Sequence, residues 1–497
     1  MTGGSLSALN LYNLTKNLTA QSHDNNYAVL PIIIDHERGS EMTLTKNHDI
    51  DMLHGRIAPA ILLFTLPIAA SSIMQQLFNS ADTAIAGKFG TPDALAAVGT
   101  NGEIVALIVG LSAGLAVGAN VLIARYIGAQ ERGRISAAVH TAMLLSVIIG
   151  VIFAVGGQFA AGPLLRLINT PEDILRSAES YLKIYLAGSP FLMIYDFGAA
   201  VLRARGDSKR PLIALMLSGV VNVLLNLFFV IVLKLSVVGV ALATDISTAL
   251  SAGAVVFWLM REQDEFKLRP KMLAINARDL KKMLAIGIPA AIQDAVFCVA
   301  NIFIQSAINT FGSSAAAGSA ISMNLEYVAY YINTAFGQAA TTFTGQNYAA
   351  GNIKRCRRIF WVCFALAMGF ALVMCEGFVL LREPLSGVFS SVQEEIGFSC
   401  ERMLTILSFQ PLCTLYEVPA WTMRGLGRSA LPAVEMMFGI CGVRIVWLFT
   451  VFRHFGTLRS LYAALPATWV ITSVLVGGTF AVVWRRTLSR KRALSVE

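Results

Sequence analysis

The chain has 497 residues, of which 56% are hydrophobic and only 14% charged. A soluble domain carries about 25% charged residues, so this composition excludes an ordinary globular protein and places the chain in a membrane. The formal net charge of +9 would invite a nucleic-acid reading, but the basic residues sit in short loops between apolar runs, where they record topology instead.

In chain order, residues 1–53 form a polar N-terminal tail with no helical periodicity. No basic n-region followed by an apolar h-region is visible, so no signal peptide is expected. Glu37-Arg38-Gly39 precedes Ser40-Glu41-Met42, and codons for Glu-Arg-Gly can spell a purine-rich ribosome-binding site. Translation is therefore expected to start at Met42, with residues 1–41 an over-extended reading frame; a disordered cytoplasmic tail is the alternative. The triplets beginning at Asn13 and Asn17 resemble glycosylation acceptors but fall on the cytoplasmic side of the expected topology, and are discounted.

Twelve apolar runs follow, at 57–86, 95–124, 136–156, 182–202, 211–233, 238–260, 283–308, 316–345, 359–381, 403–423, 432–452 and 460–484. Each is long enough to cross a bilayer as a helix, and lipid cannot satisfy an open sheet edge. With loops assigned alternately to the two sides, one side collects Arg125 to Arg134, Arg203 to Arg210, Arg261 to Lys282, Lys354 to Arg358, Arg424, Arg428 and Arg485 to Arg492. The other holds only scattered bases such as Lys88, Arg166, Lys234 and Arg402. The positive-inside rule then puts both termini in the cytoplasm, with the chain a multi-pass protein of the cell (inner) membrane.

The helical region is a duplication. Pro190 matches Pro411, Arg203 matches Arg424, Gly206 matches Gly427 and Pro211 matches Pro432, all at one offset; Pro67 and Gly90 match Pro289 and Gly312 one residue further apart. Such agreement across Pro, Gly and Arg positions marks an internal repeat. Six spans per copy is an even number, so both copies cross in the same sense. The predicted fold is an all-α polytopic membrane protein, with twelve transmembrane helices in two parallel six-helix lobes related by a pseudo-two-fold along the membrane normal. The expected divisions are an N-lobe at 54–260, a cytoplasmic linker at 261–278, a C-lobe at 279–486 and a basic tail at 487–497. Gly110, Gly114 and Gly118 make a stripe on one face of the second run and predict close helix packing. Pro67 and Pro289 should bend their helices, serving shape and motion.

No GxxxxGK[ST], GxSxG or HExxH pattern is present, so neither ATP-driven transport nor a familiar hydrolase is expected. All seven cysteines follow residue 297 without metal-site spacing, and read as packing residues.

Asp82 carries the strongest chemical signal. It is a carboxylate in an apolar run, and a charge at mid-membrane costs about 2.5–3.5 kcal/mol on insertion scales. Asn222 and Asn226 lie one helical turn apart on one face, and Thr244 falls at similar depth. These oxygens suit a small hard cation such as Na⁺, or the carboxylate can take a proton. At the repeat offset Asp82 becomes Ile304, Asn222 Val443, Asn226 Trp447 and Thr244 Leu465, so the cation site belongs to the N-lobe alone. The C-lobe has its own charges in Glu326, Glu376, Glu417, Glu435 and Arg444. Arg444 is expected to neutralise a glutamate, with Glu326 or Glu417 as preferred partners. Met323, Tyr327, Tyr330, Tyr331 and Thr334 surround Glu326 and suit an organic cation in a substrate cleft.

At these residues the chain resembles the multidrug and toxic compound extrusion (MATE) family. The carriers are Leu66-Pro67 through Asp82-Thr83, the stretch from Asp196 to Pro211, Asn222-Val-Leu-Leu-Asn226, Val238 to Thr244, Thr344-Gly-Gln-Asn347 and Met423-Arg-Gly-Leu-Gly427. The resemblance spans residues 42 to 486. It implies export of small organic cations, multidrug in range, in exchange for inward Na⁺ or H⁺, with the cation site at Asp82, Asn222, Asn226 and Thr244. Some relatives have Asp in place of Asn226, which leaves the coupling ion open. Asp196 stands where many relatives have Asn, making it a possible second proton carrier. No cofactor beyond the coupling ion is expected, no nucleic acid, and a functional monomer. The rivals are a flippase for lipid-linked saccharides, which needs a more cationic cleft, and an integral membrane enzyme.

Overall fold

The computed structural model describes residues 49–91, 94–168 and 170–494, with side chains described up to residue 487. The expected start at Met42, the tail before Asp49 and most of the basic C-terminal tail lie outside the described residues or their side chains. The chain crosses as α1 (Ile57–Phe89), α2 (Ala94–Gly128), α3 (Arg132–Leu167), α4 (Glu172–Ala187 and Ser189–Arg205), α5 (Lys209–Val232) and α6 (Ser236–Arg261). The second copy supplies α7 (Ala277–Asn309), α8 (Ser313–Ala349), α9 (Ile353–Leu380), α10 (Gln393–Ile406, Leu407–Cys413 and Thr414–Gly425), α11 (Ala430–Phe455) and α12 (Leu458–Thr487).

Nine of these described helices are individually long and apolar enough to span, and α4 qualifies as a pair bent by 45°. The break in α4 falls at Gly188, just before Pro190, and α10 changes to a 3-10 turn around Pro411. A proline in a helix interior removes a backbone donor and clashes with the preceding turn, so the matched pair Pro190 and Pro411 interrupts both copies at the same place. Pro67 and Pro289 behave differently: α1 and α7 continue through them as unbroken helix. Helix α8 is diluted by Asn324, Glu326, Asn333, Gln338, Gln346 and Asn347, because it lines the interior instead of facing lipid.

The lobes meet along two seams that the repeat makes equivalent, α1 against α8 and α2 against α7. In the first, Phe64 and Phe343 pack edge to face with centroids 5.6 Å apart, within a cluster that includes Ile61, Ile68, Phe336 and Ala340. The second is a glycine seam. A Cβ on Gly114 would stand 2.5 Å from the Ala291 nitrogen, one on Gly287 would stand 2.7 Å from the Leu115 carbonyl oxygen, and one on Gly118 would overlap the Met283 carbonyl. The stripe read in the sequence thus lets two backbones touch.

The seam tightens toward the end that carries the basic loops. There Tyr126 donates to Asp279 (2.6 Å), Lys282 donates to Tyr126 (3.2 Å), and Gln346 donates across to the Ala204 carbonyl (2.7 Å). Toward the other end of α2, Gly99 and Gly102 face open space. The lobes are closed at the basic end and parted at the opposite one. Arg205 also ties Asp49 (2.5 Å) to Glu262 (2.7 Å) at the basic end. Beside it Gly206 sits at φ +114, and a Cβ there would stand 2.5 Å from the Ile50 carbonyl oxygen, a position only glycine fills without strain.

Replacing Gly114 with Val should wedge α2 from α7 and cost about 1–3 kcal/mol, the usual penalty for overpacking. Gly102→Val, which faces open space, serves as control. Thermal midpoints of the purified variants should fall for the first and hold for the second; equal midpoints would remove the glycine seam as the contact that sets lobe spacing.

Candidate functional site

Between the lobes lies a cavity of about 670 Å³, walled by α1, α2, α4, α5 and α6 on one side and by α7, α8 and α10 on the other. Asp82 reaches it from α1 and is only 6% exposed. Its Oδ1 accepts from Asn226 Nδ2 at 2.5 Å, and its Oδ2 lies 3.1 Å from Thr244 Oγ1. Asn226 also donates to Asn222 Oδ1 (3.3 Å), and Asn222 to Thr244 Oγ1 (3.5 Å). The four residues read from the sequence are therefore one hydrogen-bonded cluster. The turn spacing of 222 and 226 aims both amides at α1, while α6 brings Thr244 in from the side.

Two details of the cluster bear on chemistry. Thr244 Oγ1 is also 3.0 Å from the Val240 carbonyl, so its single proton has two alternative acceptors. Asn226 Oδ1 is buried with no hydrogen-bond partner, an arrangement that costs about 1–3 kcal/mol unless a ligand compensates. At the same place in the C-lobe, Ile304 packs among Ala300, Ile308, Ala315 and other apolar side chains. Trp447, the counterpart of Asn226, donates its indole N–H to the Ser460 carbonyl (2.8 Å).

Other polar groups line the same cavity. Asp196 accepts from Ser112 at 2.5 Å, and Arg203 bridges to Gln338 of the other lobe (3.3 Å). In the C-lobe wall Glu417 accepts from the Trp421 indole (2.7 Å), and Arg424 lies 4.2 Å from the centre of that ring while donating to Gln293 (2.8 Å). Tyr327 and Tyr331 stack with centroids 6.1 Å apart, and Tyr331 donates to Gln76 of α1 (3.1 Å). Tyr330 and Thr334 also face the cavity.

The structure corrects the expected pairing of the C-lobe charges. Glu326 is not free for an organic cation: Arg402 grips it with both arms of its guanidinium, at 2.7 and 2.9 Å. Neither Glu326 nor Met323 lies on the cavity wall. Arg402, which the sequence placed in a loop, lies inside α10 because that span begins at Gln393, ahead of its 3-10 break. Arg444 pairs with neither Glu326 nor Glu417 and instead donates to Asn301 (3.1 Å). Glu435 accepts from Thr479, and Glu376 is exposed. Three intramembrane carboxylates escaped the sequence reading, Glu103 and Asp294 on the cavity wall and Asp245 beside it in α6. The criterion that found Asp82, a lone acid in an apolar run, would have found each of them.

Comparison with known proteins matches this geometry to a family. The MatE family model fits residues 67–228 and, a second time, 289–450, so the two matches begin at the paired prolines. A probable multidrug resistance protein, YoeA of Bacillus subtilis, is 26% identical over 436 residues, covering 85% of this chain and 93% of that protein. A probable multidrug resistance protein, NorM of Thermotoga maritima, is 26% identical over 408 residues, covering 80% and 86%. The solved structure "Outward-facing conformation of a multidrug resistance MATE family transporter of the MOP superfamily" aligns with a TM-score of 0.82 at 22% identity, over 90% of this chain and 99% of that one.

Structural and exposed-to-ligand carboxylates separate in stability. Glu326→Gln leaves the Arg402 charge buried and unpaired and should cost about 3–5 kcal/mol. Asp82→Asn removes a charge that no cation neutralises and should leave the thermal midpoint unchanged or raised. A large fall for Asp82→Asn with none for Glu326→Gln would reverse the assignment.

Proposed function

The chain belongs to the MATE family, and from that premise we propose that it is a secondary antiporter exporting small organic cations, multidrug in range, in exchange for inward Na⁺ or H⁺. The description of its relatives as multidrug resistance proteins supports this reading. So does the cavity: five carboxylates (Asp82, Glu103, Asp196, Asp294 and Glu417) face it against two arginines, Arg203 and Arg424. Acidic walls with Tyr327, Tyr330, Tyr331 and Trp421 among them favour cations with an aromatic or apolar body. A flippase for lipid-linked saccharide phosphates needs the opposite polarity.

The working unit is a monomer in the cell membrane, with N-lobe 54–260, linker 261–278 and C-lobe 279–486. Both termini are cytoplasmic, so the closed basic end faces the cytoplasm and the cavity opens outward. The observation that carries the coupling mechanism is the Asp82 cluster. With Asp82 ionised, the Thr244 hydroxyl donates to Oδ2. With Asp82 protonated, the carboxyl donates to Thr244 and that hydroxyl turns to the Val240 carbonyl; the same heavy-atom positions serve both states. For Na⁺, the ligands would be the Asp82 carboxylate, Thr244 Oγ1, and the amide oxygens of Asn222 and Asn226, the latter lacking any partner now.

An external cation binding here neutralises the carboxylate and shifts the balance between outward- and inward-facing states, provided it binds the two differently. Asp196, held by Ser112 on the wall nearer the closed end, is the second proton carrier in this reading.

In proteoliposomes, Asp82→Asn should abolish export driven by either a Na⁺ or a pH gradient while inserting normally. Asn222→Ala and Asn226→Ala each remove one oxygen and should weaken cation dependence by a smaller factor, about tenfold for a loss of 1.4 kcal/mol. Wild-type rates of gradient-driven efflux in Asp82→Asn would sink the mechanism, and the gradient that drives wild-type efflux names the coupling ion.

A further inference from the structure

Arg444 is a buried charge held without an ionic partner among the described residues. A guanidinium stays protonated at any physiological pH and presents five N–H donors. Burying one costs several kcal/mol unless a counter-charge and hydrogen bonds return the energy. Arg402, in the same lobe, recovers that cost through its two-armed grip on Glu326. Arg444 does not. It is 7% exposed, its Nη1 donates to Asn301 at 3.1 Å, and its Nε has no partner. Among the described residues no carboxylate lies within ion-pair distance of it. The groups in its electrostatic neighbourhood are Tyr416, Cys413 and Cys441, neutral in their ordinary forms, and the cationic Arg402.

The backbone around Arg444 is distorted as well. The α-helical stretch Val443–Trp447 is flanked on both sides by π-helical turns, Met437–Gly442 and Leu448–Phe452. Helix α5, its counterpart in the N-lobe, has one such turn, Phe228–Val232. π-turns are uncommon and gather at functional positions, where they re-aim side chains. At the repeat offset, Arg444 answers to Val223, next to Asn222, and Asn301 answers to Asn79. The two lobes thus use the same region for opposite charges, a buried carboxylate in one and a buried guanidinium in the other. Asn301, the hydrogen-bond partner of Arg444, lies on the cavity wall, with Arg444 behind it.

We propose that Arg444 and Asn301 form a binding site in the C-lobe for a monovalent anion: either chloride or the carboxylate of a zwitterionic substrate. The anion supplies the missing counter-charge, taking the free N–H groups of Arg444 and, where its shape allows, the amide N–H of Asn301. A substrate carboxylate docked here leaves its cationic end among Tyr330, Glu417 and the other acids of the cavity. The site would then admit zwitterions to a cleft that otherwise selects cations.

Binding can be read without transport, so this inference and the antiport reading fail separately. The full chain, purified in detergent, is melted in the presence of a thiol-reactive dye, which reports exposure of buried cysteines including Cys413 and Cys441. One arm replaces sodium gluconate stepwise by sodium chloride; the other, in gluconate, adds norfloxacin or its methyl ester. If chloride is the ligand, it should raise the wild-type midpoint by about 2–4 °C in a saturable way. If a substrate carboxylate is the ligand, norfloxacin should raise it and the ester should not. Either response should vanish in Arg444→Gln and survive in Arg444→Lys with affinity reduced about tenfold. Should Arg444→Gln fail to fold, Asn301→Leu keeps the charge and removes the amide, and should weaken the response similarly. No saturable response to either anion in the wild type, or one of equal affinity in all folded variants, overturns the proposal.

Discussion

A single carboxylate held in a low-dielectric environment without a cationic partner sets the terms for much of this molecule. Asp82 is buried among donors that are themselves neutral, Asn226 and Thr244. Neutral donors ease the charge without cancelling it, so the group keeps its appetite for a proton or a metal cation. An arginine there would have made a stable ion pair of the kind seen at Glu326 and Arg402, and a site indifferent to ions. Those two carboxylates differ in company: Glu326 is held by a guanidinium and Asp82 by neutral donors alone.

The surrounding architecture puts that carboxylate where its charge state has consequences. Asp82 lies on α1, whose earlier turns pack on α8 of the other lobe through Phe64 and Phe343. The equivalent seam, α2 on α7, is so close that glycine backbones touch. Interfaces of this kind have discrete arrangements and do not deform continuously, so a small change at one site is converted into a change of packing. The polar bridges that close the basic end, from Tyr126 to Asp279 and from Gln346 to the Ala204 carbonyl, are buried between the lobes.

Much of this was legible in the chain itself. Apolar run length gives the spans because lipid imposes it. Repeated Pro, Gly and Arg positions give the duplication, since those residues have backbone or topological roles that drift slowly in kind. The Asp82 cluster was readable from one misplaced charge and two asparagines a turn apart. What escaped had a common physical origin: sequence shows which faces exist but not which faces meet. Arg402 was placed in a loop because Pro411 breaks α10 and hydropathy lost the start of the span. Arg444 was paired with glutamates that turn out to have their own partners. Glu103, Asp245 and Asp294 carried the same signal as Asp82 and show that the signal marks membrane-buried acids in general; only the three-dimensional company of each acid tells them apart.

On the proposed mechanism, cation binding at Asp82 biases the balance between the two lobe arrangements. Spin labels on the ends of α2 and α8, one pair at each end of the cleft, allow that balance to be measured by distance distributions in nanodiscs. In the wild type, adding Na⁺ or lowering the pH should shift population between a distribution closed at the basic end and one closed at the opposite end. In Asp82→Asn the distribution should be fixed and indifferent to both. Equal cation-dependent shifts in the wild type and in Asp82→Asn would rule out Asp82 as the group through which the cation acts.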